Sequence, residues 1–131
     1  MNRLMNASDI YISLHKSEGF GLTLMESILL NKPTLTTNYS GNIDFCKKEW
    51  SELVEYKMID VEAESNYSRK FETKKASWAM VDINDASKKL NDIYMDIPSY
   101  EKRARMGAEW IRENYNLQRA SQQITEALCQ I

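Results

Sequence analysis

Residues 18–26 read EGFGLTLME. The stretch places two carboxylates, Glu18 and Glu26, eight positions apart around the pair Gly19 and Gly21. Glycines in a strand-to-helix turn let a ligand approach the backbone closely. A helix beginning at Gly21 offers unpaired N–H donors and a partial positive charge, which suit an anion and phosphate in particular. Glu26 falls about five residues into that helix, roughly 7–8 Å along its axis. Carboxylates accept strong hydrogen bonds from hydroxyls. Two acids flanking a phosphate site therefore suit a diphosphate with hydroxyl-rich groups at both ends, as in a nucleotide sugar. A second reading fits the periodicity equally well. In it Glu26 shares the polar face of an ordinary helix with Thr23 and Ser27, Glu18 is a loop acid, and the glycines make a tight turn. The spacing is not G-x-G-x-x-G, so the glycines alone are a weak signal.

Composition narrows the classes. At 131 residues the chain is one domain at most, long enough to bury a real core. An apolar share of 43% and a charged share of 27% are those of a globular protein. The net charge of −2 and pI near 5.5 argue against a nucleic-acid partner, which needs a clustered basic face. Basic residues such as Lys47, Lys48, Arg69, Lys70, Lys74, Lys75, Lys88 and Lys89 come mostly in pairs beside acids, the pattern of solvated faces. Cys46 and Cys129 have no motif spacing and read as reduced, cytoplasmic thiols. A single histidine, His15, and the lack of C-x-x-C leave no His-pair or zinc-type metal site. No apolar run reaches the ~20 residues that span a bilayer, and MNRLMNASDI lacks the apolar segment of a signal peptide. The expected location is cytoplasmic.

The elements that must position the two acids are legible. IYISL, residues 10–14, is β-branched and aromatic-rich, a strand. Residues 15–20 turn, and Leu22, Met25, Ile28 and Leu29 then form the apolar stripe of a helix over 21–31, stopped by Asn31, Lys32 and Pro33. TLTT, residues 34–37, is a second strand, and Asn42 is placed to cap a short helical turn over 43–45. Strand, helix and strand with tight loops make a βαβ unit with parallel strands. Leu53 to Val61 alternates partly and reads as one further strand, and residues 62–77 as a polar surface loop. Asp85 is a candidate cap for a helix through Ala86, Leu90, Ile93, Tyr94 and Ile97, which Pro98 ends. Ser99 is a candidate cap for the next, with Tyr100, Ala104, Ala108, Ile111 and Tyr115 on one face. Leu117, Ile124 and Leu128 mark a last helix.

The expected fold class is α/β, a partial Rossmann-like domain with a small parallel sheet of about three strands and a helical C-terminal tail. A doubly wound domain needs more strands, so the chain reads as the back half of a larger domain. Residues 1–61 would be its α/β motif region, 62–77 a polar loop and 78–131 its C-terminal helices.

SEGFGLTLMES resembles the E-x(7)-E signature of the retaining family-four ("group 1") glycosyltransferases, which have the GT-B fold. The likeness runs through DIYISLHKSEGFGLTLMESILLNKPTLTTNYSGNIDF, residues 9–45, and more loosely through WAMVDINDASKKLNDIY and the final helices. The resemblance implies that Glu18 binds donor-sugar hydroxyls and helps stabilise charge at the anomeric carbon. It implies phosphate contacts from the backbone N–H groups around Gly19, at Phe20, Gly21 and Leu22, a hydroxyl near the phosphates from Thr23, and ribose contacts from Glu26. His15 precedes the turn and reads as structural. The family transfers a sugar from a nucleotide-sugar donor with retention and needs no divalent metal or cofactor; the chain has no D-x-D. Two departures stand out. Nothing corresponds to the family's N-terminal acceptor domain, and nothing before residue 9 supplies its basic pair. The chain would thus carry part of a donor site and be inactive alone. The rival readings are a non-catalytic glycosyltransferase-like binding or scaffold module, and a Rossmann fragment for another nucleotide.

Overall fold

The computed structural model describes residues 2–61 and 76–129. Helix α1 (Asn2–Asn6) leads into strand β1 (Tyr11–Ser13), helix α2 (Leu22–Leu29) and strand β2 (Thr34–Thr37). A 3-10 turn (Gly41–Asp44) precedes β3 (Glu52–Val54) and β4 (Tyr56–Asp60). Then come β5 (Ser77–Val81), α3 (Ile83–Met95), α4 (Ile97–Asn114) and α5 (Leu117–Leu128). The order β1-β2-β3 is parallel throughout, with Tyr11 opposite Thr34 and Leu35 opposite Glu52. The expected βαβ unit and three-stranded parallel sheet are therefore present, in an α/β arrangement consistent with a partial Rossmann-like domain.

Helices cover both faces of the sheet. Because strand side chains alternate, Leu35 of β2 points into a cluster with Val54, Ala86 and Ile93, on the side of α3. Thr34 points the other way, to Ser27 of α2 at 3.0 Å. On that side Leu24, Ile28, Phe45, Cys46 and Ile111 form a second cluster between α2 and α4. The small residues Ala104, Gly107 and Ala108 bring α4 in close, and Gly107 lies directly on the Trp50 ring. Arg112 donates to the Leu29 carbonyl at 3.1 Å, satisfying an orphan acceptor at the end of α2. Asn31, in the left-handed region at φ 60°, turns the chain out of α2 where the sequence predicts the stop.

Strand β2 is buried at all four positions although three are threonines. Every hydroxyl is partnered, as burial demands. Thr34 donates to the Lys32 carbonyl, Thr36 accepts from Asn42, and Thr37 donates to the His15 carbonyl at 2.7 Å. The last two bonds fasten the loops at the C-terminal edge of the sheet, where the EGFG turn lies.

The structure corrects several local expectations. The single strand expected over 53–61 is two. After Val54 the Glu55 N–H donates to Asp85 and the Glu55 carbonyl accepts from Asp82. These bonds pull the chain out of the parallel sheet. Tyr56–Asp60 then pairs antiparallel with Ser77–Val81 in a separate two-stranded sheet, so the region 78–131 is not helical from its start. Asp82, rather than Asp85, caps α3, accepting from the N–H groups of Asn84 and Asp85. Asp96, rather than Ser99, caps α4, and Pro98 sits in the first turn of that helix, where its missing N–H costs nothing. Of the three C-terminal helices α3 lies on the sheet, α4 packs on α2 and reaches β3 through Arg103, which pairs with Glu52 at 2.8 Å, and α5 buries no residue. The polar segment expected at 62–77 lies, for residues 62–75, outside the described residues. Among the described residues no helix is long and apolar enough to cross a membrane.

Candidate functional site

The EGFG turn leaves the C-terminal end of β1 and enters α2. Gly21 is the N-cap, at φ 90° and ψ 48°, in the left-handed region that favours glycine. A side chain there would also press on Leu24, Asn42 and Glu18. Among the described residues no side chain caps the start of α2. The first intrahelical bond runs from Met25 N–H to the Gly21 carbonyl at 3.0 Å. The N–H groups of Phe20, Gly21, Leu22, Thr23 and Leu24 thus have no acceptor among the described residues. Five donors at the positive end of a helix can take an anion.

The turn is braced from beneath by the loop after β2. Ser40 donates its hydroxyl to the Glu18 carbonyl and accepts from the Glu18 N–H, and Gly41 N–H also donates to the Glu18 carbonyl. Gly41 passes so close under Gly19 that a β-carbon at 41 would collide with the Gly19 carbonyl. Ser40 adopts φ 79°, a conformation that costs energy for a non-glycine residue and that these bonds hold in place. Asn42 is inside the 3-10 turn and does not cap it. Its amide donates to the Thr37 carbonyl at 3.0 Å and to Thr36 Oγ1 at 3.3 Å, so the side chain is used to tie the loop to β2. Ser40 and Gly41 are supporting residues that the sequence reading did not single out, and Asn42, expected there as a cap, serves the brace instead. Their sequence signal is the Ser-Gly-Asn run after a strand.

The proposed contacts fall into two groups. Glu18, Gly19, Phe20, Gly21, Leu22 and Thr23 are brought together in the turn and first helical residues. Glu18 is half-buried, and its carboxylate accepts from the Gly19 N–H at 3.1 Å. The Phe20 ring turns away from the donors, 5.3 Å from Phe45 and 6.0 Å from Tyr115 between centroids. Leu22 points its side chain into solvent, so only its backbone can serve a ligand. Glu26 stands apart, further along α2. It is half-buried and makes no hydrogen bond or ion pair through its carboxylate with any described residue.

His15 lies between the turn and the brace. Its two ring nitrogens and Asn42 Oδ1 are buried without a well-formed hydrogen bond among the described residues. Burial holds the imidazole below its ordinary range, against the pull of the Glu18 carboxylate and the nearby Asn42 amide. Lys16 projects over the Trp78 ring at 4.4 Å, and the Lys16 carbonyl accepts from Ala79 N–H at 2.8 Å, anchoring β5 beside the turn. No group of three or more His, Cys, Asp or Glu side chains placed to hold a metal occurs among the described residues.

Two comparisons bear on these features. The family model described as "Glycosyl transferases group 1" matches residues 1–89, from α1 into α3 and across the whole turn and its brace. A comparison with curated proteins finds no match.

Proposed function

The chain belongs to the group 1 glycosyl transferases, and from that premise we propose that its EGFG turn and α2 hold a nucleotide-sugar donor. The observation that carries the proposal is the uncapped start of α2, with five N–H groups free among the described residues and a glycine N-cap that lets a ligand reach them. A diphosphate there would be held by backbone donors that need no rearrangement. The same donors would stabilise the charge that builds on the diphosphate as it departs, the usual source of catalysis by preorganised dipoles.

The two acids take different tasks. Glu26, further along α2 and with no carboxylate partner among the described residues, accepts from the ribose hydroxyls. Glu18 accepts from the donor sugar and stabilises positive charge at the anomeric carbon; rotation of its side chain releases the Gly19 N–H. The resemblance to the retaining, GT-B-type members supports transfer with retained configuration, without a divalent metal, to an acceptor held by a separate domain. In that arrangement this chain supplies part of the donor site and does not turn over alone.

The test is a heteronuclear NMR titration of the full chain with UDP-, GDP- and ADP-glucose. Saturable shifts centred on the amides of Phe20 to Leu24 are expected with at least one of them. Absence of any shift at these amides, or shifts confined to another surface, would refute the reading.

A further inference from the structure

The peptide between Gly19 and Gly21 carries the first free donors of the candidate site, and its backbone has little to hold it. On one side Ser40 and Gly41 fix Glu18; on the other α2 begins at Leu22. Phe20, between two glycines, makes no backbone hydrogen bond to a described residue. What fixes it is its ring. That ring packs on Phe45, which is fully buried, and on Tyr115, with an interplanar angle of 59°. Tyr115 also meets Phe45 edge-on at 6.2 Å. The three rings thus make one cluster in which Tyr115 touches both Phe20 and Phe45.

Tyr115 is itself well placed to act as a support. It is the residue at which α4 ends, and its N–H donates to the Ile111 carbonyl at 2.7 Å. Its ring leans on Trp110 at 6.0 Å, and Trp110 leans on Trp50 at 5.4 Å, over the closely packed Gly107. A chain of aromatic contacts therefore runs from the α4 packing surface to the EGFG turn. The Tyr115 hydroxyl forms no hydrogen bond among the described residues, so the contribution resides in the ring.

We propose that Tyr115 is a positioning residue for the donor site: its ring, through Phe20, fixes the turn whose N–H groups receive the diphosphate. The inference rests on the donor reading given above. One contact between aromatic rings is worth roughly three- to tenfold in an equilibrium, and that is the size of effect expected on nucleotide affinity.

The experiment compares the full chain with Tyr115→Phe and Tyr115→Leu, reading backbone 15N order parameters and the affinities of UDP, GDP and ADP. In the wild type and Tyr115→Phe, Gly19, Phe20 and Gly21 should sit near the rigid value of about 0.85; in Tyr115→Leu they should fall towards about 0.6. Ala86 and Ile93 should be unchanged in all three. The best-bound nucleotide should weaken roughly three- to tenfold in Tyr115→Leu and regain wild-type affinity in Tyr115→Phe. Order parameters at residues 19–21 that ignore the loss of the ring overturn the inference, as does a loss of order spread equally over Ala86 and Ile93. If none of the three nucleotides binds the wild type, the donor reading falls while the order parameters still decide whether Tyr115 holds the turn.

Discussion

Gly41 runs directly beneath Gly19, and the Gly19 carbonyl occupies the space that a β-carbon at 41 would need. Two glycines distant in sequence thereby let the loop after β2 support the loop after β1. Without that approach neither the Gly41 N–H nor Ser40 could hold the Glu18 carbonyl.

Gly41→Ala should therefore destabilise the chain by about 1–3 kcal/mol, the usual cost of overpacking where the obstacle is backbone. Gly19→Ala is the control. Nothing lies within 4 Å of a β-carbon there, and the change should stay within about 0.5 kcal/mol. Urea unfolding of the two variants checks the difference. Equal midpoints would mean that the two loops do not touch as described.

The His15 imidazole is held below its ordinary range by burial. The folded chain then takes up a proton less readily than the unfolded one, and stability rises with pH wherever the unfolded state binds more protons. The stabilisation is fully present above about pH 6.5, the ordinary histidine value. It is lost as the pH falls from there through the lowered value of the folded state. Urea midpoints at pH 7.5 and pH 5.5 should differ more in the wild type than in His15→Gln. An equal drop in both would show that other groups carry the acid sensitivity.

Burial pushes the Cys46 thiol up to about 12, while Cys129 is exposed on the residue after α5. Thiolate is the reactive form. At pH 8 a disulfide reagent should modify one thiol per native chain, at Cys129, and two in denaturant. Cys129→Ser should abolish the native reaction. Prompt labelling of Cys46 without denaturant would show that the α2–α4 core opens readily.

The βαβ unit was legible because its signals are local. IYISL and TLTT are strand-like in composition, the stripe from Leu22 to Leu29 has helical period, and Asn31 with Pro33 closes it. The β4–β5 sheet was not. Leu53 to Val61 alternates only partly and holds no Gly or Pro to mark a break, and the break at Glu55 is made by Asp82 and Asp85, about thirty residues later. The capping errors share this origin. Asp82 and Asp85 both precede the same apolar pattern, as Asp96 and Ser99 do the next, and only backbone direction chooses between them. At the candidate site the glycines and acids announce themselves by type and spacing. The brace does not, because the link from Ser40 to Glu18 exists only once β1 and β2 lie side by side.

The donor reading gives the ribose to Glu26, whose carboxylate has no partner among the described residues. Calorimetric titration of UDP, GDP and ADP into the full chain and into Glu26→Gln measures that role. Losing a hydrogen bond to a charged group costs about 1.5–3 kcal/mol, so the best-bound nucleotide should weaken roughly 10- to 150-fold. Glu18→Gln should bind the nucleotide as the wild type does, because the proposal places Glu18 at the sugar and not at the nucleotide. Indistinguishable affinities in the wild type and Glu26→Gln, or no nucleotide binding to the wild type at all, would contradict the account.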